Sequence, residues 1–565
     1  MRIYFILFLL SIVPGLVKAQ GPENITLLTQ EDIDNFPANY PNYTEITGNL
    51  IIGMQFNRDT IIGLDSLISL TKVNGDLQIR FNPMLTDLSG LDQLTFVGGD
   101  FTIIGNGLTR LSGLGVLTHI GGTLEVSLSD SLVNFSGLEN LSMLNGSLYV
   151  ADNLSLLDLT GLGNLTFLGG DLNILNNSAF NNFAGINSLN YIGRDLFLYN
   201  NAILTQLSGL ENIDSIGRDL RISLNASLHD LSGLDNMVTV GGNVDFYGNA
   251  ALYDFSGLGN LASIGGKMEV WSNPALHNLS GVSNLNSIEG DLRIIQNDQM
   301  THVSGLTNLE YVGGEVVIGN NESLVSLTGL DDLVSIGSAL SIINNDALVS
   351  LSGLENIDEG SLNNILIADN DSLSDCSVLS LCNYLSGPAG IVDIFSNAPG
   401  CNSPADIASS CGFEMPCLPF GNYYLETQEQ IDNFHSDYPA CTDLQGSLTI
   451  NPSDSSDVIT NLFGLSDITS ISGDLVIQNS SSLETLEGLE NLEQVGGDVK
   501  VSNNMSLVNL SGLDNLSTIG NDFEIQSNPA LINLSGLENL NALPGMLNIY
   551  LKQNCKHGMN GLMLK

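Results

Sequence analysis

The chain has 565 residues, of which 62 are acidic and 15 basic, giving a formal net charge of −47. Such a surface repels nucleic acid and anionic membranes and excludes partners of that kind. Charged residues nevertheless make up only 14% and hydrophobic ones 43%, so the composition is that of a packed protein rather than a disordered acidic tail.

Residues 1–19 open with Arg2, run apolar from Ile3 to Val17 and stop at the small Ala19, which reads as a secretory signal peptide cut before Gln20. The apolar run is short and broken by Pro14 and Gly15, and no other segment reaches the ~18 consecutive apolar residues of a spanning helix. The mature chain is therefore expected to be exported and to have no direct membrane span. After this leader comes T-Q-E-D-I-D-N-F-P-A-N-Y-P (Thr29 to Pro41), which recurs as T-Q-E-Q-I-D-N-F-H-S-D-Y-P (Thr427 to Pro439). Each copy precedes a glycine and a strand-like run, Gly48–Ile52 and Gly446–Ile450, so each is expected to be a helical cap over a first coil.

Between the caps a repeat takes over. The glycine of the L-S-G-L phrase falls at Gly90 and Gly113, and then at a constant step through Gly137, Gly161 and Gly185 to Gly353. The beat returns at Gly464, Gly488, Gly512 and Gly536. A period of about 24 residues is the signature of a solenoid in which each coil buries its apolar face only against its neighbours. In one coil, Leu210, Ile213, Ile216, Leu220, Ile222, Leu228 and Leu231 supply that face. The segment Asp219–Ser223 (D-L-R-I-S) alternates with period two and is expected to be a short strand, stacked on its counterparts into a parallel sheet. A column of asparagines, Asn201, Asn225, Asn249, Asn273, Asn297, Asn321 and Asn345 among them, has Ser129 as its exception. These amides are expected to satisfy backbone groups at a corner, bonding the next coil.

No cysteine occurs before Cys376. Cys376, Cys382, Cys401 and Cys411 cluster where the first array ends, as a disulfide-closed C-terminal cap would require, without revealing which pairs form. Cys417 and Cys441 are expected to staple the start of the second array. The domain reading is a signal peptide at 1–19, a first solenoid at 22–412, a second, incomplete one at 416–550, and an aberrant tail at 551–565 where the repeat decays, as in a truncated or frame-shifted end. The fold class is mainly β: a right-handed, leucine-rich-repeat-like β-helix whose coils are each about 24 residues long, in two tandem copies.

The cap phrase and the pattern G-D-L-x-I-x-x-N-x-x-L-x-x-L-S-G-L-x-x-L-x-x-I-G resemble the receptor L-domain, a leucine-rich-repeat relative built of short β-helical coils. The segment C-N-Y-L-S-G-P-A-G-I-V-D-I-F-S-N-A-P-G-C-N-S (Cys382 to Ser403) resembles the cap that closes such arrays in secreted bacterial members. The resemblance spans residues 22 to 550 and implies fold and export, not a ligand. Tyr43 stands where Cys441 stands in the second copy, so the first cap lacks its staple.

No catalytic constellation is evident: there is no G-x-S-x-G elbow and no H-E-x-x-H, and the six histidines are scattered. No cofactor is called for. Recognition is expected on outward strand positions, where Tyr199, Tyr247 and Trp271 share one column and Phe197 and Arg221 another; aromatic planes beside charge suit a glycan or protein ligand. By alternation all three of the first column should be exposed. A column of aspartates, Asp171, Asp195 and Asp219 among them, sits at the Gly-Gly turn and is a weak calcium candidate, the plainer reading being that each bonds its own turn backbone. The overall expectation is a secreted or cell-surface, non-enzymatic binding or adhesion protein. The alternatives are a polysaccharide-acting β-helix enzyme and a purely structural wall or matrix component.

Overall fold

The computed structural model describes residues 23–54, 61–415, 417–439, 441–452, 458–541 and 543–550; the expected signal peptide and the tail 551–565 lie outside them. The chain divides into two compact units, one of residues up to 179 with 184–189, the other of 180–183 with 190 onward.

In the first unit each coil contributes one longer strand and one two-residue strand. The longer ones run from Ile25–Leu27 through Leu77–Arg80 and Leu124–Ser127 to Leu172–Leu175. Each pairs in parallel with the strand one coil away, for example Leu148 with Leu172 and Val150 with Ile174. The two-residue strands, such as His119–Ile120 and Met143–Leu144, form a second parallel sheet. The second unit repeats this plan, with Leu220, Arg221, Ile222 and Ser223 in register with Val244, Asp245, Phe246 and Tyr247. Here too the sheet is a stack of parallel rungs about 4.8 Å apart.

The core follows the repeat. Leu210, Ile213, Ile216, Leu220, Ile222, Leu228 and Leu231 are all at most 1% exposed. The repeat glycine has a steric cause. Gly257 has φ +108°, and a Cβ there would lie 2.1 Å from the carbonyl oxygen of Leu231 in the preceding coil. That backbone angle and that close approach both demand a residue without a side chain.

Within each unit the asparagines form a buried ladder. Within the second unit the amide N–H of Asn225 donates to Asn249 Oδ1 at 3.1 Å, while Asn249 Nδ2 donates to the carbonyl of Ile222 at 2.8 Å. Each side chain thus serves the backbone of the coil before it, where the sequence suggested the backbone of the next, and reaches the next coil only at that coil's own asparagine side chain, as Asn249 Nδ2 does at Asn273 Oδ1, 3.3 Å. Direction matters: the chain turns the corner at Asn with its side chain pointing back into the stack. Ser129 is too short for this, and its hydroxyl instead bonds the carbonyl of Ser127, two residues earlier, at 3.2 Å.

Both cap phrases are helical and both start with a capping box. Thr29 and Asp32 close the first, Gln30–Asp34, and Thr427 and Gln430 the longer second, Gln428–Asp437. Each then ties down the next coil with one glutamine. Gln30 Oε1 accepts from the Ile62 amide at 2.9 Å, and Gln428 Oε1 from that of Thr460 at 2.8 Å.

Three disulfides form: Cys376–Cys401, Cys382–Cys411 and Cys417–Cys441, with Cα separations of 5.7, 5.7 and 5.3 Å. The last is the expected staple. Cys382–Cys411 joins the helices Leu379–Leu385 and Pro404–Cys411, whose pairing the sequence left open. Between the strand Val392–Asn397 and the first strand of the following sheet, Tyr423–Leu425, contact is made largely by side chains. Phe395 stacks on Tyr424 with centroids 4.0 Å apart, Asn422 Nδ2 donates to Asp393 at 2.8 Å, and Glu426, 6% exposed, accepts from the Ser396 amide at 3.1 Å.

Candidate functional site

Strand pairing in the second unit sets the outward residues in two straight columns. Phe197, Arg221, Asp245, Glu269 and Arg293 follow one another in register in the first. Tyr199, Ser223, Tyr247, Trp271 and Ile295 do so in the second. Local sequence explains the placement. Each strand is four residues of alternating pattern, so its second and fourth side chains must leave the core on the same face.

The aromatic residues form two pairs rather than one patch. Phe197 and Tyr199 lie with ring centroids 5.8 Å apart, and Tyr247 and Trp271 with centroids 4.9 Å apart at 41°. The rung of Arg221 and Ser223 separates them, and Ser223 is buried at 7% exposure. Full exposure of the column, expected from alternation, therefore holds only for Trp271, which is 47% exposed; Tyr199 and Tyr247 are half-buried. The reason is lateral: rungs only about 4.8 Å apart make large side chains cover their neighbours. The Trp271 indole N–H donates to Gln296 Oε1 at 2.5 Å, which holds the ring edge toward the following coil.

Beside the aromatics runs a ladder of paired charge. Arg221 is paired with Asp219, and Arg293 with Glu315. Lys267 reaches Glu269 at 2.8 Å, and Glu269 also faces Arg293 at 3.8 Å. Burial pushes the Asp245 carboxyl above its ordinary range, and the neighbouring Glu269 charge pushes it the same way. Arg221 thus reaches a ligand only as one half of an ion pair, with its side chain 42% exposed.

The aspartate column is engaged in the stack. Asp195 Oδ1 accepts from the Asp219 amide at 3.1 Å, and Asp219 Oδ1 from the Asn243 amide at 2.8 Å. In the first unit Ser147 Oγ donates to Asp171 Oδ2 at 3.2 Å. The bonds of Asp195 and Asp219 go to the next coil's amide and the Asp171 bond to the preceding coil's Ser147, because the carboxylate projects along the stacking axis, where a neighbouring coil arrives on either side. Among the described residues, no group of three or more His, Cys, Asp or Glu is placed to hold a metal ion. No helix among them is long and apolar enough to cross a membrane.

One feature of this region was not apparent from sequence. Immediately past the strand ends, a trough of about 610 Å³ runs across four coils. One wall is Ser272, Gln296, Asn320 and Asn344; the other includes Asp298, Glu322 and Asp346. These are the residues on either side of the buried asparagines. The variable partners of an invariant-looking position were the available signal.

The comparisons with known proteins bear on the fold. Residues 440–521 match the family model of the receptor L domain. This segment is a receptor L domain. Its strands Leu448–Ile450, Leu475–Gln478 and Val499–Ser502, and the buried Asn504 that donates to the carbonyl of Ile477 at 2.9 Å, have the same build as the coils before it. No curated protein matches the chain. Among solved structures, a chain in the crystal structure of a TLR13–ssRNA13 complex aligns over 93% of this chain and 87% of its own length, at 16% identity and a TM-score of 0.24. At that score the alignment carries no argument. The L-domain match covers residues 440–521, the parallel coils give the chain a leucine-rich-repeat-like solenoid build, and three disulfides are consistent with an extracellular setting.

Proposed function

We propose that this chain is a secreted or cell-surface, non-enzymatic binding protein composed of two tandem L-domain-like arrays, at about 22–412 and 416–550, which presents a rigid sheet face to a glycan or protein ligand. The observation that carries this reading is the pairing of Tyr247 with Trp271 on an outward column, flanked by Phe197, Tyr199 and an ion-paired ladder. Exposed aromatic planes next to oriented charge are unneeded for the core, which is complete without them, and are the usual material of recognition surfaces. The face needs no conformational change to bind, because each outward side chain is fixed by its strand and by neighbouring rungs.

The test is a glycan and protein array probed with the full exported chain and with a Tyr199→Ala/Tyr247→Ala/Trp271→Ala variant. A ligand bound by the first and lost by the second supports the reading. A ligand bound equally by both removes the sheet face from consideration, and the absence of any ligand favours a structural wall or matrix role.

A further inference from the structure

N-x-S/T sequons, the acceptors of asparagine-linked glycans, recur along the chain, and the stack sorts them into different environments. Some lie in the turn before the repeat glycine. There Asn134, Asn278, Asn509 and Asn533 are half-buried, and the side-chain oxygen of each accepts the amide of the serine two residues on, at 2.8 to 3.1 Å. Others belong to the asparagine ladder itself. Asn153, Asn225, Asn321, Asn370 and Asn504 each open a sequon, closed by Ser155, Ser227, Ser323, Ser372 and Ser506, and each of the five asparagines is 0% exposed.

Glycosyl transfer to asparagine joins Nδ2 to C1 of a sugar, releases the lipid pyrophosphate that carried the sugar and removes one Nδ2 proton. The ladder has no proton to give up. Asn370 Nδ2 donates to the Ile342 carbonyl at 3.0 Å and to Asn397 Oδ1 at 2.9 Å, and Asn153 Nδ2 to the Val126 carbonyl at 3.0 Å and to Asn177 Oδ1 at 3.2 Å. A sugar on such a nitrogen forfeits a buried hydrogen bond and occupies close-packed space where coils must meet. A glycosylated ladder asparagine is therefore incompatible with a closed stack.

The fold does not require these sequons. The five closing serines are exposed or half-buried, and at the same position of other coils stand Ala251, Ala275 and Ala347. Each ladder sequon is thus dispensable by a substitution that neighbouring coils already carry, yet five persist.

We infer that this chain folds out of reach of any transferase that glycosylates N-x-S/T asparagines on unfolded polypeptide, and that Asn153, Asn225, Asn321, Asn370 and Asn504 must stay bare for the coils to close. This adds a constraint on the route to the exported state proposed above and makes no use of the sheet face.

The test directs the full chain into the secretory pathway of a eukaryotic cell, with and without an inhibitor of lipid-linked donor synthesis. It is compared there with a Ser155→Ala/Ser227→Ala/Ser323→Ala/Ser372→Ala/Ser506→Ala variant, which removes the ladder sequons and keeps the ladder. The parent is expected to be retained in the cell with glycopeptides at ladder asparagines, and to be secreted several-fold more when donor synthesis is blocked. The variant is expected to be secreted folded without the inhibitor, even with glycans at turn asparagines such as Asn134 and Asn278. A parent secreted folded and bare at the ladder while the transferase is active overturns the inference. So does a sugar on a ladder asparagine of a folded chain, from this host or from the chain's own source, and so does retention of the parent that the inhibitor fails to relieve. The inhibitor arm decides the matter even if the variant does not fold. Ligand binding by the sheet face is read separately on the array and stands or falls without these outcomes.

Discussion

Replacing Asn249 tests whether the asparagine ladder holds the coils together. Asn249 is 0% exposed; its Oδ1 accepts the Asn225 amide at 3.1 Å and its Nδ2 donates to the Ile222 carbonyl at 2.8 Å and to Asn273 Oδ1 at 3.3 Å. In Asn249→Ala the Asn225 N–H and the Ile222 carbonyl both lose this partner, whereas Asn273 Oδ1 still accepts the residue 249 amide, at 3.0 Å in the parent. The Ile222 carbonyl keeps its place in the parallel ladder, so at about 1–3 kcal/mol for the one buried N–H left unsatisfied the loss is about 1–3 kcal/mol. Asn249→Ser should recover little of it, because the natural serine at 480 bonds back to its own strand, at Gln478, rather than to the preceding coil. Asn249→Asp keeps the acceptor but sets a carboxylate against the Ile222 carbonyl. It should be the worst of the three at neutral pH and improve as acid restores an O–H donor. Repeat arrays lose stability locally, so the assay is urea unfolding combined with hydrogen exchange resolved over residues 220–275. A cost below about 1 kcal/mol for alanine, or an aspartate variant indifferent to pH, would refute the view that these two cross-coil bonds are what the column provides.

Gly257→Ala should cost at least about 3 kcal/mol by chemical denaturation, since it combines an unfavourable backbone angle with a contact that the Leu231 carbonyl must move to relieve. Removing the cap disulfide with Cys382→Ser/Cys411→Ser opens a loop of 29 residues and should lower stability by about 3–4 kcal/mol, seen as a lower urea midpoint for the 364–412 region. Glu426 is raised above its ordinary 4.5 by burial, so its ionisation opposes folding. Its contribution favours the fold below about pH 4.5 and is lost as pH rises through the higher folded value. Glu426→Gln should flatten the fall in stability above that pH, and an unchanged slope in pH-dependent melting would show the group to be solvated. Ser129→Asn should stabilise the first unit by about 1 kcal/mol, read from its melting temperature, by supplying the cross-coil bonds that the serine cannot reach.

The negative charge of the chain is in part a by-product of the repeat. Asp235, Glu355, Glu490 and Asp514 each accept a hydrogen bond from the repeat-glycine amide two residues earlier, at 2.7 to 2.9 Å. The turn aspartates bond the next coil in the same way, as Asp474 does for the amide of Asp498 at 2.7 Å. Acidic residues therefore recur with the period because the backbone of each coil exposes N–H groups at fixed corners. The carboxylates of the trough are a different population: Asp298, Glu322 and Asp346 stand at a position of the coil that holds Ala250 and Pro274 in earlier coils.

Periodicity by itself determined the coils, the parallel stacking, the apolar core and the buried asparagines. Those properties repeat, and whatever recurs with the period of the coil must occupy the same place in every coil. Tertiary structure alone decided what depends on neighbours across coils. It split Tyr199 and Tyr247 into separate aromatic pairs, buried Ser223 between them, neutralised Arg221 against Asp219 and turned the asparagine and aspartate side chains toward particular adjacent coils. It also chose the partners among four cysteines and stacked Phe395 on Tyr424. A linear sequence gives a residue's phase within its coil, but crowding and charge pairing arise between residues about 4.8 Å apart in space and a full repeat apart in the chain, and these only the stacked structure brings together.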